Sequence, residues 1–219
     1  MLSIDNIIFL WQNLLLERKI FLVSKSKNAL TKVSMALISL MFPIKWLHVF
    51  IPVLPEKLQL FSDAPVPLLI GICYDFVLKD VPEDIIVVDI DTNTILQNNE
   101  KIENEPKKLM QTLRKRLDKF NKKFNNPGDK YIITHLDDLF TSNNVYAEKD
   151  VFNIDYSEIK DIFFEFFINL FKKYEEYVFC FGKLNSKTVF NSVTSKEIQF
   201  DRDLFLVDHE SNIVLRLFN

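Results

Sequence analysis

The stretch LLIGIC, residues 68–73, decides the fold class of this chain, because none of its positions carries a charged or strongly polar side chain. Similar, mostly apolar runs are IFLVS at 20–24, LHVFIPV at 47–53 and IIVVDI at 85–90. Strands with continuous apolar runs are buried on both faces, which is typical of a mostly parallel sheet between helical layers. The sequence therefore predicts an α/β fold with a layered α/β/α core.

The segments around these strands have the spacing of amphipathic helices. Apolar residues three and four positions apart predict a first helix that begins near Ile4 and ends near Arg18. A second predicted helix carries Leu30 and Leu37 on one face and ends before Pro43, because the residue before a proline resists the helical conformation. A short third helix is predicted over 55–61, with a proline in its first turn.

The composition changes after residue 90, and the second half of the chain is predicted to be mainly helical. Residues 91–106 are polar and rich in Asn, which indicates a surface loop. Helices are predicted over 107–124 and 156–180, followed by a polar loop over 182–199 and a short helix with a tail. We therefore expect two subdomains, an α/β core over 1–105 and an all-α C-terminal subdomain over 106–219.

Composition excludes several classes of function. The chain has 219 residues and a formal net charge of −3, so no overall attraction to nucleic acid is expected. Its three glycines cannot supply a Walker A loop or a GxGxxG fingerprint. No Ser lies in a GxSxG motif, and the cysteines and histidines lack the spacing of a metal site. The sequence thus predicts no catalytic constellation, no metal site and no cofactor.

We expect a cytoplasmic protein that associates at most peripherally with vesicle membranes. No segment reaches the roughly 18–20 apolar residues of a membrane-spanning helix. The two cysteines form no disulfide framework, which is typical of a reducing compartment.

One acidic pair permits two interpretations. The segment IIVVDIDTN places Asp89 and Asp91 at the carboxyl end of a strand, where ligands collect in open α/β sheets. A strand that ends in D-x-D is similar to the way haloacid-dehalogenase-type phosphatases present a nucleophile and an acid beside Mg²⁺, although Asn93 stands where that motif has Thr. Alternatively, both carboxylates accept hydrogen bonds from turn amides, and we favour this interpretation.

The predicted helix over 107–124 has a strongly basic face. Between Lys107 and Lys123, eight Lys and Arg residues stand against one acid, Asp118. Such a face is most often simply solvated. Its functional interpretation is contact with an acidic protein or peripheral contact with an anionic membrane.

Several segments of the sequence together resemble a known family. They are LLLERKIFLVS at 14–24, ALISLMFPIKWLHVFIPVLPEKLQLFSDAPVPLLIGI at 36–72 and PEDIIVVDIDTN at 82–93. The order of their Pro, Trp, His and Gly positions resembles the central module of a DENN domain. IKDIFFEFFINLFKKYEEYVF at 159–179 and FDRDLFL at 200–206 are similar to the start of the family's downstream module.

The resemblance implies guanine-nucleotide exchange on a Rab-type small GTPase in vesicle trafficking. An exchange factor binds the nucleotide-free GTPase most tightly and, by linkage, lowers the affinity of the GTPase for nucleotide. It needs a rigid, partly aromatic surface and neither a nucleophile nor a cofactor. The alternative is a non-catalytic module that binds a GTPase or a trafficking complex through the same surface.

We expect the contacts with the GTPase to come from loops near strand ends. The candidate residues are Phe42, Lys45, His48, Asp89, Asp91 and Asn93. The resemblance does not include the family's upstream longin-like lobe. We therefore expect a fragment of a longer chain, a separate lobe that acts in trans, or a scaffold without exchange activity.

Overall fold

A computed structural model of the chain describes residues 2–55, 57–58, 64–73, 81–99, 102, 105–124, 156–172, 174–180 and 198–208. All structural statements below concern these residues. The short helix that the sequence predicts over 55–61 falls largely outside them. No helix in the described ranges is long and apolar enough to cross a membrane.

The centre of the molecule is a five-stranded, mostly parallel sheet. Its strands are β1 (Lys19–Ser24), β2 (Val49–Ile51), β3 (Leu68–Cys73), β4 (Ile85–Asp89) and β5 (Thr94–Gln97). They lie in the order β2-β3-β1-β4-β5; the first four strands are parallel and β5 is antiparallel to β4. The predicted α/β class and the mostly parallel sheet are confirmed. All residues of β3 and β4 are buried, as their continuous apolar sequences predict.

In the described ranges, five α-helices pack toward one face of this sheet. They are α1 (Ile4–Leu15), α2 (Lys27–Leu40), α3 (Lys107–Phe124), α4 (Tyr156–Leu170) and α5 (Arg202–Asp208). Serine side chains cap the first two helices: Ser3 accepts from the backbone N–H of Asn6, and Ser26 accepts from that of Ala29. These caps fix where each helix begins.

Helix α1 ends earlier than the apolar spacing predicts. The backbone of Glu17 has a φ of +53°, in the left-handed region. Its N–H donates to the carbonyl of Leu14, and the N–H of Arg18 donates to that of Asn13. This is a Schellman closure with Glu in the place where Gly is usual, and it turns the chain directly into β1.

The face of the sheet toward the helices forms the larger core. Ile20, Leu22 and Val88 of the strands pack there with side chains from α1 to α5, including Phe205 of α5. Trp11 of α1 is fully buried in this core. Helices from both halves of the chain therefore share one hydrophobic core with the sheet, and the expected division at residue 105 stays a prediction.

The opposite face of the sheet packs against connecting segments. The alternate strand residues, among them Phe21 and Ile70, form a second cluster with Leu54, Ala64 and Val81. Gly71 lies where a connecting segment passes close to the sheet: a Cβ at this position would overlap the carbonyl oxygen of Pro52. Only glycine fits this position without a shift of the backbone.

Three details of the prediction need correction. Residues 94–97, predicted as loop, form β5, because an antiparallel edge strand can be polar on its exposed side. The aromatic helix ends at Leu170, not at Cys180. The C-terminal part is not all-α, because β6 (Val178–Cys180) pairs antiparallel with β7 (Ile198–Phe200). The sequence prediction placed the residues of β6 in the aromatic helix and most of those of β7 in the polar loop.

Candidate partner-binding site

The parallel sheet separates the six candidate residues into two groups. Phe42, Lys45 and His48 lie on the segment that joins the end of α2 to the start of β2, at the amino edge of the parallel strands. Asp89 is the last residue of β4, and Asp91 and Asn93 follow it, at the carboxyl edge. A strand of five residues spans about 16 Å. The structure therefore does not bring the six residues together into one site.

Asp89 holds the turn that follows β4. Its side chain is 3% exposed. The carboxylate oxygen Oδ1 accepts hydrogen bonds from the backbone N–H groups of Asp91, at 2.8 Å, and Thr92, at 3.1 Å. This geometry confirms the Asx-turn interpretation of the acidic pair for Asp89.

Asp91 connects the same turn to helix α2. One carboxylate oxygen accepts from the hydroxyl of Ser24 at 2.6 Å, and the other accepts from the backbone N–H of Lys25 at 2.8 Å. The hydroxyl oxygen of Ser24 in turn accepts from the N–H of Ser26, the residue that caps α2. A carboxylate at this place also interacts favourably with the positive end of the helix dipole.

Asn93 connects the turn to helix α1. Its backbone has a φ of +58°, a conformation that Asn adopts more readily than most residues. Its side-chain oxygen accepts from the N–H of Ser3 at 2.7 Å and from the side-chain amide of Asn6 at 2.9 Å. The same amide of Asn6 also donates to the backbone carbonyl of Asn93. The acidic turn thus holds the N-termini of two helices.

The geometry of the acidic pair favours this structural role over phosphatase chemistry. The carboxylate of Asp91 is occupied by Ser24 and Lys25, and that of Asp89 by two backbone amides. Across the described part of the chain, no group of three His, Cys, Asp or Glu side chains is arranged to hold a metal ion.

The amino edge differs from the acidic turn at the carboxyl edge, because it exposes apolar side chains to solvent. Phe42 is 61% exposed, with its ring centroid 5.3 Å from that of Phe164 on α4, and Leu47 is 84% exposed. Lys45 is also exposed. We call Phe42, Lys45, Leu47 and His48 the amino-edge patch. Sequence reasoning missed Leu47 because it placed residue 47 inside a buried strand, whereas β2 begins at Val49.

His48 is held firmly within this patch. Its Nε2 lies 3.0 Å from the carboxylate of Glu17, in the closing turn of α1. Its ring also meets the edge of Trp46, with centroids 5.0 Å apart, and the indole N–H of Trp46 donates to the carbonyl of Val49. These contacts hold the segment against the closing turn of α1 and the start of β2.

Comparison with known proteins gives matches for the region that contains both edges. Residues 1–93 match the family model described as DENN (AEX-3) domain. The chain is 32% identical over 120 residues to DENN domain-containing protein 1B of Homo sapiens, which covers 53% of this chain and 16% of that protein. It is 32% identical over 144 residues to DENN domain-containing protein C297.05 of Schizosaccharomyces pombe, covering 64% of this chain and 14% of that protein.

A third similar protein is not named as a DENN domain-containing protein. Elicitor of plant defense protein 1 of Verticillium dahliae is 37% identical over 95 residues, which cover 43% of this chain and 8% of that protein. The chain therefore spans between 8% and 16% of the length of these three relatives. The amino-edge patch and the acidic turn both lie inside the matched residues 1–93.

Proposed function

We propose that this chain, whose residues 1–93 match the DENN (AEX-3) domain model, is a DENN-family protein that acts as a guanine-nucleotide exchange factor, or as one lobe of such a factor, for a Rab-type small GTPase in vesicle trafficking. The observation that carries the proposal is the amino-edge patch. Within the family-matched region, the segment from Phe42 to His48 exposes a Phe and a Leu beside a lysine.

The mechanism requires differential binding and no bond chemistry. If the chain binds nucleotide-free GTPase about 100-fold more tightly than the GDP-bound form, linkage lowers the affinity of the complexed GTPase for GDP by about the same factor. A rigid apolar surface suits this task, because ordering a flexible surface on binding would lower the affinity for the GTPase. The contacts of His48 with Glu17 and Trp46 supply that rigidity.

In this proposal the two groups of candidate residues have different roles. The amino-edge patch contacts the GTPase, with Phe42 and Leu47 as apolar anchors, since large apolar side chains in such positions dominate many interfaces. Asp89, Asp91 and Asn93 act indirectly, because they hold the N-termini of α1 and α2 and therefore the position of the patch relative to the sheet.

The first experiment measures binding of the 219-residue chain to a panel of Rab GTPases, each nucleotide-free and GDP-loaded. We expect at least one Rab to bind about 10-fold or more tightly in the nucleotide-free form, and the chain to accelerate release of a fluorescent nucleotide from that Rab. Equal affinity for both forms without acceleration would identify a non-catalytic binding module and overturn the exchange proposal. Absence of binding across the panel would overturn both.

The second experiment locates the surface with a matched pair of exposed leucines. Leu47→Ala alters the amino-edge patch, whereas Leu96→Ala alters β5, where Leu96 is 58% exposed. We expect Leu47→Ala to weaken Rab binding about 5-fold or more, as an interface anchor does, and Leu96→Ala to leave it within about 2-fold. Equal effects of the two variants on Rab binding would show that the amino-edge patch does not contact the GTPase.

A further inference from the structure

Helix α3 carries a row of lysines on the side that faces away from the protein. At 3.6 residues per turn, Lys108, Lys115, Lys119 and Lys122 fall within about 60° of one another around the helix axis. All four are exposed. The buried residues of the helix, Met110, Leu113 and Leu117, lie on the opposite side. We call the four residues Lys108, Lys115, Lys119 and Lys122 the lysine row.

The arginines of the same helix have a different task. Arg114 forms an ion pair with Asp5 of α1, and Arg116 forms one with Glu165 of α4. These two arginines stand on either side of the buried stripe and attach α3 to its two neighbouring helices. The basic residues therefore divide by type: the two arginines join the helix to the protein, and the lysine row faces solvent.

Within the described residues, no lysine of the row is in ion-pair contact with an acid, although exposed Asp118 lies three residues after Lys115 and four before Lys122. Ion pairs there include those of Lys19, His48 and the two arginines of α3. Lys115 and Lys119 are four residues apart and Lys119 and Lys122 three, spacings at which like charges repel each other on a helix. A face that served only solubility could alternate both signs and avoid this repulsion.

We propose that the lysine row binds the surface of an anionic lipid bilayer. The row is straight and extends over about 21 Å, which suits a flat, negatively charged surface. Gln111 and Thr112 lie between the lysines, and no exposed aromatic or arginine side chain of α3 stands on this side to anchor a specific protein interface. The apolar stripe of α3 is buried in the core, so the helix adsorbs by charge and does not insert.

Electrostatics sets the expected strength. A lysine close to an anionic membrane contributes about fivefold to the binding constant, so removal of all four should weaken binding by roughly 600-fold, close to three orders of magnitude. The attraction is screened by salt, because the Debye length falls from about 10 Å at 0.1 M to about 3 Å at 1 M ionic strength. Binding should therefore be strong only at low to moderate salt.

The experiment is co-sedimentation of the 219-residue chain with vesicles of phosphatidylcholine alone or with about one third phosphatidylserine. We expect binding to the anionic vesicles at 0.1 M salt, its loss at 1 M salt, and none to the neutral vesicles. The test variant replaces all four lysines of the row by Gln and should lose binding. A variant with Arg at all four positions keeps the charge and should bind as the wild type does.

A matched control changes the same net charge elsewhere. Exposed Lys27, Lys57, Lys160 and Lys172 are replaced by Gln, and this variant should keep most of the vesicle binding. Thermal melts of all variants establish that they fold. Equal binding by the two Gln variants, or equal binding to neutral vesicles, overturns the proposal. Capture by immobilised polyglutamate without vesicle binding would overturn it in favour of an acidic protein partner.

The outcome is independent of the proposed exchange function, because the vesicle experiment contains no GTPase. The Rab-binding experiments in turn contain no lipid. A failure of one proposal is therefore distinguishable from a failure of the other.

Discussion

Trp11 joins the family-matched region to the helix α4 that lies outside it, and a double-mutant cycle can measure that connection. Its indole ring meets Phe163, Phe166 and Phe167 of α4 in edge-to-face geometry, with centroids 5.0, 4.9 and 5.7 Å apart. The indole N–H donates to the carbonyl of Leu40 at the end of α2, at 3.1 Å. We consider the changes Trp11→Leu and Phe167→Leu, alone and together.

The structure sets the size of each effect. Replacing the fully buried indole by the smaller Leu removes roughly 50–80 Å² of buried apolar surface, or about 2 kcal/mol. Loss of the hydrogen bond to Leu40 adds about 1 kcal/mol, so Trp11→Leu should lower the free energy of unfolding by about 3 kcal/mol. Phe167→Leu should cost about 1–1.5 kcal/mol. The double variant should lose less than the sum by about 0.5–1.5 kcal/mol, since each single change already removes the ring pair.

Urea unfolding of the four proteins gives the coupling, with tryptophan-independent circular dichroism as the probe. The control cycle combines Trp11→Leu with Phe21→Leu. Phe21 is fully buried on the opposite face of the sheet. That pair should be additive within about 0.5 kcal/mol. Equal, near-zero coupling in both cycles would refute the packing of α4 on α1 and with it the single core shared by the two halves of the chain.

Substitutions at three further positions test the sheet and the acidic turn, each by urea unfolding. Gly71→Ala would force a Cβ onto the carbonyl of Pro52, so we expect a loss of about 3 kcal/mol; a loss below about 1 kcal/mol would contradict the close approach. Asn93→Ala removes the acceptor of two hydrogen bonds and should cost about 2–3 kcal/mol, whereas Asn93→Gly, which keeps the left-handed backbone without strain, should cost about 1 kcal/mol less. Asp91→Asn places an amide donor where a carboxylate accepts from Ser24 and Lys25, and should cost about 1–2 kcal/mol; stability equal to the wild type would show that these bonds contribute nothing net.

The success of the sequence prediction for the strands has a simple cause. Burial on both faces imposes apolar residues at every position, and this pattern is visible within five or six residues, as in β3 and β4. The edge strand β5 escaped prediction because it is largely exposed, only four residues long, and enclosed in a stretch that is otherwise polar and rich in Asn. The end of α1 escaped because Glu17, not Gly, adopts the left-handed conformation that closes the helix.

The long-range contacts of the candidate site residues could not be predicted from the sequence either. His48 directly precedes β2 and Asp89 ends β4, but whether each candidate faces a partner or the protein's own helices depends on segments far along the chain. Asn93 bonds to Ser3, 90 residues away, and Asp91 bonds to Lys25, 66 residues away. Leu47 lay unrecognised between two residues that the sequence did single out, because its exposure follows from the start of β2 two positions later.

The sequence by itself determined the α/β class, the mostly parallel sheet, the resemblance to the DENN family and the basic character of α3, because each depends on residue types at short or fixed spacing. Only the tertiary structure decided the strand order, the separation of the candidate residues onto two edges of the sheet, and the choice of Asp5 and Glu165 as partners of the arginines on α3. The physical reason is that burial and helical periodicity leave a pattern in neighbouring residues, whereas hydrogen bonds and ion pairs between distant segments form only when folding brings those segments together.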